Sequence, residues 1–458
     1  MNEVSGIKKI KSVIKKENVK IIALRFTDLA GKRREVCYPA NKFDDILKGK
    51  VDFDGSSVRG FMRIDEGSLS LLPEVSTFRV DPWTVKPKVG FMIADVIDFS
   101  GKLYKKSPRS ILKRAIELAT QKDHYFIFGV EMEFYFLKEE EGIYKLADTA
   151  DYCEYPQNRH VFYELLEVID NMGIDSEPSI HEHGPSQFEV HFAPDKPLEI
   201  SDKILIFKDL AESVAANHGL LACFMPKPFS GLPGNGMHIH VSMWDGVGKK
   251  NLFWNGRKNE LSDVGMNFMA GIIGHVRSLA AFFAPTVNSY KRLVPGFEAP
   301  SSISWGYDNR STTFRISPFT SAKGAKLEFR APDMATDPYL TFAGVIMAGL
   351  AGLGGKYELP PEAKGNVYQY TEEEKKRLKI GSLPEDLRES LIELEKDKFL
   401  MNFLGEAGSE YIRMKKEEWK EEMTTVWPIE RDWYFNPNAF MREEIGRDGW
   451  RNTNLKTS

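Results

Sequence analysis

The chain has 458 residues, 42% of them hydrophobic, with 62 basic against 66 acidic side chains and a formal net charge of −4. That is ample material for a large buried core and too much chain for one ordinary domain. The charge balance excludes a nucleic-acid footprint and a polybasic membrane patch, and three scattered cysteines (Cys37, Cys153, Cys223) exclude a disulfide framework and a cysteine-based zinc site.

In chain order, Ile7, Ile10 and Ile14 share one face of a helix over Val4 to Glu17, opposite a row of lysines, with no secretory apolar region. Val19 to Thr27 reads as a strand, Asp28 to Lys32 as a turn, and a second strand runs through Val36. A mostly β first domain is expected over 1–105. Ser107-Pro108 predicts a helix cap with proline at the first helical position, opening a helix from Arg109 to Gln121 and a larger second domain over 106–458. The uncharged stretch from Pro338 to Gly355 is shorter than the ~20 apolar residues of a membrane span and reads as a buried core helix. Leu387, Leu391 and Leu394 predict a helix starting near Ser382, and Lys415 to Glu422 a solvated helical surface. The expected setting is cytoplasmic.

Four short strand-like segments have an apolar back and an ionisable front, because residues i and i+2 face the same side of a strand. Glu131 and Glu133 oppose Val130, Met132 and Phe134; Gln187, Glu189 and His191 oppose Phe188, Val190 and Phe192. His238 and His240 oppose Met237, Ile239 and Val241; Glu328 and Arg330 oppose Leu327 and Phe329. One such strand is an ordinary wet sheet face. Four together, with few of the lysines, threonines and serines of a wet sheet, gather carboxylates that repel unless a cation lies between them. Oxygen-rich ligands with one or two histidines and no thiolate suit Mg²⁺ or Mn²⁺, and Glu182, across a Gly184-Pro185 turn, reaches the same place. At least two divalent ions are therefore expected.

Arg292, Arg310, Arg315 and Arg330, with Lys323 and Lys326, supply groups that bind carboxylate or phosphate. Phe53 to Ser57, Gly231 to Gly236 and Pro295 to Pro300 read as shaped turns. Neither a G-K-S/T phosphate loop nor a dinucleotide fingerprint occurs, so ATP would be held through metals and basic groups.

These stretches, with Met225 to Phe229, Asn288 to Pro300 (NSYKRLVPGFEAP), Asn309 to Ile316 and Leu327 to Leu340, resemble glutamine synthetase from residue 1 to about 435. The resemblance implies an α+β protein: an N-terminal β-grasp domain, and a catalytic domain with a curved antiparallel sheet flanked by helices. It implies that Glu133, Glu182 and Glu189 ligate the metal nearer the acceptor substrate, and Glu131, His238 and Glu328 the metal that grips ATP. Arg292 and Arg330 would clamp the carboxylate of glutamate, with backbone contact from Gly234. Arg310 and Arg315 would steady the transferred phosphoryl group, while Glu177, His240, Ser242 and Lys326 fall where ATP contacts lie. Asp54 would help deprotonate ammonium, with Ser57, Tyr152 and Glu182 around that site, and Glu298 would close a flap over the intermediate. The implied reaction joins glutamate and ammonia through a γ-glutamyl phosphate, in a dodecamer whose Asp54 loop reaches a neighbouring subunit.

The sequence departs from the family at a few places. Pro233 stands where the glycine loop usually has asparagine, Ser68 where aspartate is common, Asp337 for asparagine, and Pro194 where an aromatic often stacks on adenine. These leave γ-glutamyl-polyamine or other γ-glutamyl-amine ligases as the alternative on the same fold. A catalytically silent relative is opposed by the intact metal, arginine, Asp54 and Glu298 positions. Tyr368 lies in a segment resembling the family's adenylylation loop.

Overall fold

A computed structural model describes residues 3–246, 248–294, 299–428 and 430–431. The helix Glu3–Lys16 turns Ile10 into the core and leaves its lysines outside. Strands Ile21–Thr27 and Arg33–Pro39 form the expected hairpin, Thr27 paired with Arg33. They extend into a six-stranded sheet in the order Arg33–Pro39, Ile21–Thr27, Val89–Ile97, Ser68–Pro73, Asp52–Asp54, with Arg79–Val80 added along Val89–Ile97. The pairing of Ile21–Thr27 with Val89–Ile97 is parallel, and every other pair in that sheet is antiparallel.

The helix Pro108–Thr120 follows. Ser107 has the extended backbone of a cap, φ −71° and ψ 127°, but makes no capping bond with its side chain. A ten-stranded sheet then carries the rest. Its central path runs Trp305–Tyr307, Phe314–Ile316, Leu327–Phe329, Met237–Asp245, Tyr125–Glu140, Gln187–Asp195, Ile180–His181. Its back is packed by buried Phe128, Val130, Met132, Phe134, Phe188, Val190, Ile239 and Phe329 against helices that include Pro197–Asn217 and Pro338–Gly352. The alternation seen in sequence thus marks which side is core.

Pro338–Gly352 is a buried helix, as its composition predicts. It packs against Asp263–Phe283, the one helix among the described residues long and apolar enough to cross a membrane, which is itself mostly buried here. The two approach at Gly271 and Gly352. A Cβ on Gly271 would lie 2.3 Å from the carbonyl of Ala348, and one on Gly352 would lie 2.1 Å from that of Asn267. Only glycine permits that contact. Two expectations need correction. The C-terminal helix begins at Leu387, capped by Asp386 whose carboxylate accepts the Glu389 amide at 2.7 Å, because Ser382 is drawn into a short strand pairing with Ser302. The segment from Lys415 is not uniformly solvated, since Lys415 is buried and paired with Glu418 at 2.8 Å.

A buried polar network ties the strand Val89–Ile97 of the first sheet to the helices Pro108–Thr120, Pro197–Asn217 and Pro338–Gly352. Arg109 donates to both carboxylate oxygens of Asp202, at 3.0 and 2.9 Å, and also bonds Asp95, which Lys113 bonds in turn. Tyr339 donates to Asp202 at 2.6 Å. Nearby Asp337, departing from the family's asparagine, caps Pro338–Gly352 by accepting the Leu340 amide at 2.9 Å. It lies beside Gly31 of the first hairpin. Burial pushes its carboxyl up to about 6, against the opposing bonds to its own helix.

Candidate active site

The polar face of the ten-stranded sheet floors a cleft of about 830 Å³. Sheet register places its ionisable groups side by side: Glu189 opposite Glu133, His191 and His238 each opposite Glu131, and Glu328 opposite both His240 and Arg315. Like charges directly opposite one another, as Glu189 and Glu133 are, destabilise a sheet, so that pair is not there for the sheet's own stability.

Three groups of donor atoms lie within 4.8 Å of one another: Glu131, His238 and Glu328; Glu133, Glu189 and His238; Glu131, Glu189 and His191. Burial pushes the Glu189 carboxyl up, the hydrogen bond with His191 opposes it, and the charges of Glu133 and Glu131 add to the rise. Glu131 is buried too, yet its bonds with His238 (3.1 Å) and His240 (2.8 Å) hold it well below the usual carboxylate range. Glu328 is lowered to about 2, burial being outweighed by Arg330 and the histidines. Crowded carboxylates, neutral-capable imidazoles and no thiolate fit a hard divalent cation in each of the first two groups. Glu182 also lines the cleft, with one carboxylate oxygen accepting the His183 amide at 3.2 Å.

The cationic wall comes from other elements. Arg292, at the end of the short helix Ser289–Arg292, donates to the carbonyl of Ala331 at 2.7 Å and, more weakly, to that of Arg330 at 3.3 Å. Its burial lowers its affinity for a proton, and Glu133 works against that. Gly234 and Gly236 give it room: a Cβ on Gly234 would sit 2.8 Å from the Arg292 Cγ, and one on Gly236 2.7 Å from its Nη2. Arg315 bridges Glu328 at 3.0 Å and Asp308 at 2.7 Å. The buried Nε groups of Arg315 and Arg330 and the Nδ1 of His240 have no hydrogen-bond partner among the described residues. The guanidinium groups of Arg292, Arg310, Arg315 and Arg330, gathered in one concave site, are suited to a bound anion.

Tyr152, Glu133, Glu182, Glu189, Glu131, His238, Gly234, Pro233, Arg292, Arg310, Arg315 and Arg330 all line the cleft. Glu328 and His240 stand directly behind, joined through Glu131. Several expected contacts are not brought together. Glu177 is exposed beyond the sheet edge with its amide on the His191 carbonyl, Ser242 accepts the Trp244 indole at 2.9 Å, and Lys326 is half-buried outside the lining. Asp54 and Ser57 lie on the other sheet, where Asp54 accepts bonds from the hydroxyls of Ser56 and Ser57, both 2.7 Å, and neither lines this cleft. Glu298 lies outside the described residues.

Residues not assigned from the sequence also join. His191 shared the face of Glu189 in the strand alternation, and the structure puts it in a donor group. His183, Asn309, Ser311 and Asn366 carried no such signal. The segment that includes Asn366 and Tyr368 is laced to the Arg310 loop: Asn309 donates to the carbonyls of Ala363 (3.0 Å) and Gly365 (2.8 Å), and the Val367 amide donates to Ser311 at 3.0 Å. The Tyr368 hydroxyl is buried on the cleft side.

A two-domain α+β architecture, with a sheet face of carboxylates and histidines facing a wall of arginines, defines a ligand-binding centre for anionic substrates and divalent ions. Residues 18–99 match the family model described as the glutamine synthetase β-grasp domain, and residues 105–434 the one described as the glutamine synthetase catalytic domain. Relatives include a glutamine synthetase of Pyrococcus furiosus, 39% identical over 88% of this chain and 90% of its own length. Another, from Thermococcus kodakarensis, is 37% identical over 95% and 100%, and one from Thermotoga maritima is 38% identical over 93% and 99%. Among solved structures, GmaS in complex with ADP superposes with a TM-score of 0.84 at 32% identity, covering 93% of this chain and 98% of that one. The chain belongs to the glutamine synthetase family, a family of ligases.

Proposed function

We propose that this enzyme joins the side-chain carboxylate of glutamate to ammonia at the expense of ATP, through a γ-glutamyl phosphate. The observation that carries this reading is the pairing of two carboxylate–imidazole donor groups with four arginines, Arg292, Arg310, Arg315 and Arg330, lining the same cleft. Divalent ions bound there would neutralise phosphate charge and hold ATP and glutamate for in-line transfer. Glu131, His238 and Glu328 would hold one, and Glu133, Glu189 and Glu182 the other. Arg292 and Arg330, beside Gly234, would orient glutamate. Arg310 and Arg315 would meet the transferred phosphoryl group, and a donor held in place before reaction needs no reorganisation when charge develops. Glu177, His240, Ser242 and Lys326 would contact ATP, and Glu298 would close over the intermediate.

We further propose that residues 1–105 and 106–458 are separate domains of a cytoplasmic, ring-based dodecamer in which Asp54 and Ser57 complete a neighbour's cleft. Their position outside the cleft of their own chain supports this. Mixing dissociated Asp54→Ala and Arg330→Ala subunits should restore partial activity in reassembled hybrids. A fully active monomer would overturn it.

The similarity to GmaS leaves open a second reading in which another amine replaces ammonia. The deciding experiment offers ammonia, methylamine, putrescine and spermidine with glutamate, ATP and Mg²⁺. Ammonia is expected to give the highest kcat/KM, and any amine exceeding it at saturating glutamate would promote the second reading.

A further inference from the structure

The row of the cleft face next to Glu189 and Glu133 pairs Gln187 with Tyr135, two residues along each strand. The ligase reading gives neither a role. Both are buried, and both spend polar atoms on the glycine loop over 231–236. Tyr135 donates its hydroxyl to the Pro233 carbonyl at 2.9 Å. Gln187 donates both N–H bonds of its amide, to the Gly234 carbonyl at 3.0 Å and to the Asn235 side-chain oxygen at 3.2 Å. Its own oxygen accepts the Gly184 amide at 3.2 Å. Buried Lys227 donates to the Leu232 carbonyl. The successive carbonyls of Leu232, Pro233 and Gly234 are thus each met by a side chain.

A loop bordering a wet cleft can leave its carbonyls to water. Here polar side chains are buried to hold them, at a desolvation cost that each hydrogen bond offsets. The end of the loop is fixed as well: the Asn235 amide donates to the Pro226 carbonyl at 2.8 Å and the Gly236 amide to Glu133 at 2.6 Å. Gly234 has no slack, since a Cβ there would fall 2.4 Å from the Pro226 carbonyl. The guanidinium of Arg292 is anchored apart from these latches, on the carbonyl of Ala331. Charge supplies most of the affinity for an anion, and a neutral backbone contact at Gly234 would add direction. With both amide donors spent, Gln187 acts through the loop and not on a substrate.

We propose that Gln187, Tyr135 and Lys227 are positioning residues that fix the glycine loop over the Glu133–Glu189 row, and so set the alignment of bound glutamate more than its affinity. This rests on the reading above, in which glutamate lies between Gly234 and the pair Arg292 and Arg330. Releasing a latch leaves the arginine clamp in place, so glutamate still binds. Its side-chain carboxylate then samples a wider range of positions over the sheet face, and fewer of the bound molecules stand where phosphoryl transfer can start. A displacement of about 1 Å in a reacting group is enough to slow a reaction strongly.

The test uses the full-length enzyme with Mg²⁺ and measures two quantities: kcat for synthesis, and the Kd of glutamate by calorimetry beside a non-hydrolysable ATP analogue. Tyr135→Phe keeps the ring and removes the bond to Pro233, while Gln187→Met keeps the length and removes the bonds to Gly234, Asn235 and Gly184. Saturated turnover should fall several-fold in Tyr135→Phe and about tenfold or more in Gln187→Met, the scale of a misplaced reacting group. The Kd of glutamate should change by less than about twofold in either, the low end of one neutral hydrogen bond. Because both latches act on one loop, the double variant should lose less than the product of the single losses. Arg292→Lys should show the opposite split, weakening glutamate binding more than it slows saturated turnover. A Kd that rises in step with the fall in kcat, or an unmoved kcat, overturns the proposal and leaves the ligase reading standing. If Gln187→Met does not fold, Tyr135→Phe alone decides. Wild-type enzyme without glutamate-dependent ATP turnover overturns both.

Discussion

Two regions of this molecule gather buried charge, and they do so to opposite ends. Between the sheets, Arg109 meets Asp202 through two hydrogen bonds, Asp95 is shared with Lys113, and Tyr339 completes Asp202. Each charge there has a partner from the chain itself. On the cleft face, Glu131, Glu133 and Glu189 press together over two strands, opposite a wall of arginines. A self-satisfied network holds a structure together, whereas a network with unmet charge waits for something to bind.

The largest effect should come from breaking the self-satisfied region. Arg109→Ala takes from buried Asp202 its charged partner and leaves Asp95 to Lys113 alone, and losing one partner of such a group costs about 3–5 kcal/mol. Denaturant unfolding should show that loss without Mg²⁺, and an unchanged midpoint would refute the contrast. Glu133→Gln should do the reverse. It relieves repulsion with Glu189, so the metal-free fold should hold, while synthesis falls on the order of a hundredfold or more, as when one charge-stabilising group is removed. Saturating Mg²⁺ should stabilise wild type, by about 2.7 kcal/mol at one hundred times Kd, and stabilise Glu133→Gln less. Wild-type turnover by Glu133→Gln at limiting Mg²⁺ would sink the metal assignment.

Asp337 tests an intermediate case, a buried acid with helix-cap bonding but no close ion pair. Its carboxyl stands at about 6 against an ordinary 3.8, raised chiefly by burial. The folded state therefore takes up that proton more readily than the unfolded chain. The carboxyl adds stability as pH falls from about 6 towards 3.8 and loses that contribution as pH rises through 6. Asp337→Asn keeps a capping oxygen and should gain about 1–2 kcal/mol at pH 8 but nothing near pH 4. A gain of equal size at both pH values would show that ionisation is not its source. The smallest effect concerns Pro233, whose carbonyl accepts the Tyr135 hydroxyl at 2.9 Å while its ring offers the cleft no polar group. Pro233→Asn should lower the KM for glutamate several-fold, the scale of one hydrogen bond of about 0.5–1.5 kcal/mol. A KM that rises or stays fixed would show that this position does not touch glutamate.

What could be read from sequence and what could not divides along the same line. The carboxylate–imidazole face was legible because strand alternation is local: Val130, Met132 and Phe134 announce where Glu131 and Glu133 point. The Arg109 network was not, because Asp202 is 93 residues away and Tyr339 meets it across 137. No local pattern encodes such a meeting. The helix expected from Ser382 began at Leu387 for a similar reason, a strand pairing with Ser302 that helical periodicity does not register. His183 was hidden in another way. A lone histidine beside Glu182 joins the cleft lining only once the chain turns and lays it on Tyr152.

The hydrogen bonds lacing Asn366 and Tyr368 to the Arg310 loop have a kinetic consequence. With its hydroxyl oxygen buried, Tyr368 is out of reach of any second enzyme while Asn309 and Ser311 keep their bonds to this segment. Group transfer to that oxygen can begin only from the fraction of molecules in which the segment has opened, so its rate follows the opening equilibrium. Opening would also release the loop that carries Arg310.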